Sequence, residues 1–259
     1  MQLVLFGILL GICGTFVGSV IPLLIGKRSD AVICHLLSFA GGIMAAVSFF
    51  ELIPESVKMS NVYTAVAGMA AGVAVVLLLN HIVDALTKSR ALHETPGELL
   101  HQTPLIADSK PDAKRLFRSG VVMLLAITLH NLPEGIAIGA AVSHGASFGF
   151  MIAVIMALHN IPEGMAVATP LLAGGMRRWR IVFWTTVSGL PTIVGGVIGF
   201  YVGSVSILLQ ACCLSVAGGA MLYIVFGEII PQSIALTKSR APTLVMLLGI
   251  AIGLLIVKL

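Results

Sequence analysis

His130-Asn131-Leu132-Pro133-Glu134-Gly135 and His159-Asn160-Ile161-Pro162-Glu163-Gly164 repeat one hexapeptide pattern in two adjoining apolar segments. An ionisable side chain at the centre of a membrane helix costs about 2.5–3.5 kcal/mol on insertion scales, so such residues face one another, an ion or water. Here a His and a Glu carry that cost twice. In each motif they stand at i and i+4, on one face of an α-helix and one turn apart. Two such helices side by side present two nitrogens and two oxygens. That donor set suits a divalent first-row metal, because calcium and magnesium prefer all-oxygen shells and copper(I) prefers thiolate. Pro133 and Pro162 supply no N–H to the carbonyls of Leu129 and Leu158, which predicts a kink and a free backbone oxygen in each helix. Asn131 and Asn160 add side-chain amides at the same level.

The composition around these motifs is that of a membrane protein. Of the 259 residues, 58% are hydrophobic and 10% charged, and the mean hydropathy is +1.07, far above a soluble domain. Eight apolar runs are long enough to cross a bilayer as helices, at about 2–25, 31–56, 62–87, 119–142, 147–173, 180–205, 208–235 and 241–258. The first lacks the basic start of a secretory signal and is read as a span. With the N-terminus outside, the inner connections hold Lys27, Arg28, Lys88, Arg90, Lys110, Lys114, Arg115, Arg118, Arg177, Arg178, Arg180, Lys238 and Arg240. Only Lys58 and Lys258 remain outside among the 15 basic residues. This asymmetry predicts extracytoplasmic termini, and it makes the net charge of +4 a sign of orientation, with no nucleic-acid partner implied. Residues 1–259 form a single transmembrane domain in this reading, and 88–118, with His93 and His101, form a cytoplasmic loop between the third and fourth helices. Cys13, Cys34, Cys212 and Cys213 lie in apolar runs without paired spacing, which points to burial rather than to a thiolate site.

A second repeat runs at longer range. Ser38-Phe39-Ala40-Gly41-Gly42-Ile43-Met44 leads to Glu51-Leu52-Ile53-Pro54, and Ser215-Val216-Ala217-Gly218-Gly219-Ala220-Met221 leads to Glu228-Ile229-Ile230-Pro231, at a constant offset of 177. Thr15, Val17, Gly18 and Val20 match Thr192, Val194, Gly195 and Val197 at the same offset. A small slip then aligns Gly68 and Gly72 with Gly249 and Gly253. The fold class read from this is an all-α membrane protein of eight transmembrane helices in a 3+2+3 inverted repeat. Such an architecture puts a transporter's substrate site near the midplane, at the repeat interface. Glu51 and Glu228 fall toward opposite ends of their spans and are read as the two mouths of a transport pathway, with Met44 a weaker candidate that packing explains as well.

The tandem His-Asn-x-Pro-Glu-Gly motifs, the eight runs, the outside termini and the loop between the third and fourth helices resemble the ZIP family of divalent metal transporters, in its prokaryotic branch of ZupT and GufA type. The resemblance covers the full chain. It implies uptake of zinc, with iron, manganese, cobalt or cadmium as further substrates, into the cytoplasm across the cell membrane. It also implies metal ligation by His130, Asn131, Glu134, His159, Asn160 and Glu163, with the metal as cargo and no resident cofactor. Some members carry an acid in the sixth span within Ser-Gly-Leu-x-Glu-Pro. Here that stretch is Ser188-Gly189-Leu190-Pro191-Thr192-Ile193, so Thr192 stands in the acid's place and one tightly held ion is expected. The sequence leaves a homodimer open. Two rival classes fit less well. An intramembrane metalloprotease needs two His on one helix, and a bis-His haem protein has no use for a Glu one turn from each His. The chain is therefore read as a transporter and not as an enzyme.

Overall fold

The computed structural model describes residues 2–26, 29–87, 112–144, 146–201, 207–237 and 239–258, and all of its regular structure is helical. Helix α1 is Gln2–Ile25, α2 Asp30–Val47, α3 Ile53–Met59 and α4 Val62–Thr87; α5 is Ala113–His144 and α6 Ala146–Ala173. The chain continues with α7 Arg178–Val187, α8 Leu190–Tyr201, α9 Ile207–Tyr223, α10 Ile230–Leu236 and α11 Ala241–Lys258. Most of the loop expected at 88–118, with His93 and His101, lies outside the described residues, and its last residues already belong to α5. Five helical stretches, Asp30–Met59, Val62–Val83, Ala113–Ile136, Arg178–Tyr201 and Ile207–Leu236, are long and apolar enough to cross a membrane. Their outward faces carry large exposed apolar side chains, such as Leu78, Leu190, Leu208 and Phe226. Water would not tolerate that display over so much surface, whereas lipid does. The protein is an all-α, multi-pass membrane protein.

Local sequence sets the helix ends. Ser29, Asn61 and Asp112 cap α2, α4 and α5 by accepting the backbone N–H of Val32 (3.3 Å), Thr64 (3.0 Å) and Arg115 (2.8 Å). Helix α6 ends in a Schellman turn: Met176 N–H bonds to Leu171 O at 3.0 Å, and Gly175 at φ 87° takes the left-handed position. The sixth apolar run is not one helix, because Ser188-Gly189 and then Pro191 break it between α7 and α8. Two π-helical turns, Ser48–Leu52 and Ile224–Ile229, hold Glu51 and Glu228 just before Pro54 and Pro231. Ile53 N–H reaches back five residues to Ser48 O, and Ile230 N–H likewise to Val225 O. Each bulge lets the helix run on into a proline that cannot donate.

The packing repeats the sequence offsets. Helix α1 lies on α6 and α8 on α5, α2 on α11 and α9 on α4, while α5 and α6 pack on each other. A Cβ added at Gly18 would strike the carbonyl of Ile161, and one at Gly195 the carbonyl of Leu132; likewise Gly164 abuts Thr15 and Gly135 abuts Thr192. Every member of one pair maps onto the other by the offset of 177, or by the 29 that separates the two hexapeptides. Gly42 meets Met246 and Gly219 meets Met69, which again differ by 177. The repeat therefore runs through α4 and α11 without the slip: Gly72 pairs with Gly249, and Met69 with Met246. Phe49 and Phe226, mates at the same offset, touch edge to face with centroids 6.4 Å apart.

These contacts are backbone against backbone, so Gly42→Ala has nothing flexible to displace. Overpacking of this kind costs roughly 1–3 kcal/mol, and the variant should unfold several degrees below the parent in detergent. Gly218→Ala meets side chains, Ile53 at 3.2 Å and Leu52 at 3.5 Å, and should change little. Equal melting temperatures for the two variants would contradict the close contact.

Candidate metal centre

Helices α5 and α6 continue through Pro133 and Pro162 and bring the two hexapeptides face to face. His130, Glu134 and Glu163 are buried, the last with 0% exposure. His130 Nε2 stands 3.4 Å from Glu134 Oε1 and 3.4 Å from Glu163 Oε1. Donor atoms of all three lie within 4.8 Å of one another. A tetrahedral ion with bonds of about 2.1 Å holds its ligands about 3.4 Å apart, so the His–Glu separations already match the edges of such a polyhedron. Two carboxylates this close repel one another unless a proton or a cation shares the space. The donor set and its spacing fit a divalent transition metal.

The asparagines are held from outside the cluster. Asn131 Nδ2 donates to Ser188 O at 2.8 Å, and Asn160 Nδ2 donates to Gly11 O at 3.2 Å. Ser188 and Gly11 are themselves separated by 177, so the two bonds are equivalent. At Ser188 the helix break frees the acceptor, since Thr192 N–H bonds to Gly189 O (3.1 Å) instead of to Ser188 O. Each amide is fixed by its NH2, and among the described residues Asn131 Oδ1 and Asn160 Oδ1 have no hydrogen-bond partner. An oriented, buried acceptor with no donor is what a cation or its hydration water would use.

The remaining candidates divide. Thr192 is buried, with its backbone against Gly135, next to Glu134, and its Oγ1 has no hydrogen-bond partner among the described residues. His159 lies on α6 one turn from Glu163, and its side chain is outside the described part of the structure. Met44 is buried in the core, where its carbonyl accepts Ser48 Oγ–H at 2.9 Å, while Met221 Sδ takes the same hydroxyl at 3.2 Å. Both methionines belong to the buried apolar core. Glu51 is half-buried in the first π-helical turn. Glu228 accepts Ser119 Oγ–H at 2.9 Å and sits 3.9 Å from Arg118 Nη1, while Arg118 Nη2 donates to Asn80 Oδ1 at 3.3 Å. Glu228 thus ties the second π-helical turn to the start of α5 and the end of α4. Sequence reasoning missed the carbonyls of Ser188 and Gly11, although their shared offset was there to be read. It also missed Arg118, Ser119 and Asn80, for which no motif exists.

Similarity to known proteins agrees with this geometry. The family model described as ZIP zinc transporter matches residues 87–257. The zinc transporter ZupT of Enterobacter sp. (strain 638) is 32% identical over 246 residues, which is 94% of this chain and 91% of the relative. ZupT of Escherichia fergusonii is 32% identical over 247 residues, and that of Salmonella heidelberg (strain SL476) 33% over 249, each with the same 94% and 91% coverage. Paired His-Asn-x-Pro-Glu-Gly motifs with both glutamates buried, an all-helical membrane fold and near full-length similarity converge, and the chain belongs to the ZIP zinc transporter family.

Proposed function

We propose that this protein carries divalent transition-metal ions into the cytoplasm, zinc foremost and iron, manganese, cobalt or cadmium as further substrates. The reading rests above all on the buried convergence of His130, Glu134 and Glu163, three metal-binding side chains from two helices. Asn131, Asn160 and His159 complete the ligand set, and the two glutamates bridge when a second ion is near. The name carried by the relatives, zinc transporter, supports zinc as the first substrate. The donor chemistry admits the others, because imidazole and carboxylate discriminate weakly among first-row divalent ions.

Eight crossings with both termini extracytoplasmic, arranged 3+2+3, are the membrane topology of this reading. Its support is the exchange of packing partners under the two offsets and the concentration of basic residues in alternate connections. Residues 1–259 then act as one transport domain, with the chain after α4 returning through a cytoplasmic loop. Glu51 and Glu228 stand near opposite mouths; Glu228, paired with Arg118, closes the inner one in this conformation. Uptake of radioactive zinc into proteoliposomes, with other divalent ions as competitors, tests the function. Absence of protein-dependent accumulation under any imposed pH or voltage gradient would overturn it.

Protons compete for the same atoms. Metal binding needs neutral imidazole and ionised carboxylate, so acidification favours the protonated, metal-free site. Apparent zinc affinity is expected to fall as pH drops, by up to roughly tenfold per unit for each proton displaced. Titrations giving one affinity at mildly acidic and mildly alkaline pH would contradict this.

A further inference from the structure

Two cavities meet at Pro133. One of ≈ 30 Å³ is lined by Met59, Gln210, Cys213, Leu214, Ile136 and Pro133. The other, of ≈ 40 Å³, is lined by His130, Pro133, Leu129, Val216, Ala217 and Ala220, among others. Each is large enough for one water or one unhydrated ion. Both lie along the seam between α5 and α9. The first begins where α3 ends and α9 starts, and the second reaches the metal-binding His130.

The opposite seam, between α6 and α2, has the same origin and a different filling. The offset of 177 carries Gln210, Cys213 and Ala220 back to Ile33, Leu36 and Ile43, and carries Met59 forward to Leu236. Ile33, Ile43 and Leu236 are buried in the apolar core, and Leu36 packs against it. An amide, a thiol and a methyl in one seam thus take the places of three large hydrocarbons in the other. At these positions one seam is filled by hydrocarbon, while its mate holds space and donors.

We propose that the α5–α9 seam is the cation's approach route from the outer face to His130, and that Met59, Gln210 and Cys213 form a soft-donor holding site at its outer end. The proposal rests on the transport reading and its orientation, which put the end of α3 and the start of α9 outside. Thioether and thiol sulfur favour soft, thiophilic ions, so this site takes cadmium and zinc ahead of manganese. It adds a selection step that the nitrogen and oxygen donors of the buried centre do not supply.

The test uses the full chain in cells, a membrane-impermeant methanethiosulfonate reagent applied from outside, and Cd2+ and Mn2+ as probes. The reagent should modify Cys213, read by mass spectrometry, and cut cadmium uptake roughly tenfold. Cd2+ added first should slow the modification by a similar factor, with Mn2+ much less effective. Cys213→Ser should abolish sensitivity to the reagent and lower the cadmium-to-manganese uptake ratio, and Gln210→Cys in that background should restore the sensitivity. The route is overturned if Cys213 is unreactive from outside, if Cd2+ gives no protection, or if Cys213→Ser is blocked as fully as the parent. Labelling and protection are read on the protein itself. A chain with a protected Cys213 and no uptake would overturn transport and support the site, whereas uptake with an unprotected Cys213 would overturn the site alone.

Discussion

Glu134→Ala and Glu163→Ala are each expected to lower metal uptake by more than about 100-fold, beyond the 10–100-fold typical of losing a ligand's supporting partner, while the protein still inserts and folds. Each substitution removes a charged donor that stands within 4.8 Å of the other two, and neither leaves a cation stranded. The remaining carboxylate loses its like-charged neighbour, so the metal-free form should be no less stable than the parent. Two measurements separate this from simple misfolding. Melting in detergent without metal should be unchanged or raised, and the further rise that zinc gives the parent should vanish, because a ligand stabilises only the state that binds it. Glu134→Gln and Glu163→Gln keep the volume and should behave alike. Near-normal uptake by the correctly inserted alanine variants would remove the central claim about the site.

The cluster was legible in the sequence because its parts are local. An i, i+4 pair needs only a helix to come onto one face, and the repeated hexapeptide supplies the second helix. Helices α1 and α4 fall at 2–25 and 62–87 as their apolar runs predict, since a span's length is set by the bilayer. The break at Ser188-Gly189 was signalled by Gly189 and Pro191 but was overridden by a continuous hydropathy run. Register in α4 and α11 went wrong because glycine spacing alone fits two alignments one turn apart. The carbonyl contacts of Gly42 with Met246 and of Gly219 with Met69 choose between them. Least legible were the bonds that orient the asparagines. They use backbone oxygens of Gly11 and Ser188, and a carbonyl has no residue type to betray it. The same holds for the Arg118–Glu228 pair, whose members are remote in the chain and obey neither repeat.

Thr192→Glu is expected to raise the number of tightly bound metal ions from one to two. Thr192 is 1% exposed and its backbone abuts Gly135, beside Glu134. It lies in the first turn of α8, where a carboxylate is favoured by the helix dipole by about 0.3–1 kcal/mol. That gain is small against the several kcal/mol of effective cost for burying an unpaired charge. The metal-free variant should therefore melt below the parent. A second cation, held between the new carboxylate, Glu134 or Glu163, and the Oδ1 of Asn131, would offset the cost, so zinc should raise the melting temperature of the variant more than that of the parent. Thr192→Gln has the size without the charge and should show neither effect, which separates charge from bulk. Equilibrium dialysis or anomalous diffraction decides the stoichiometry. Two fully occupied sites of similar affinity in the unmodified protein would mean that residues other than an acid at 192 already complete the second position. In that case the asparagine carbonyls, oriented by Ser188 and Gly11, are the donors to substitute next.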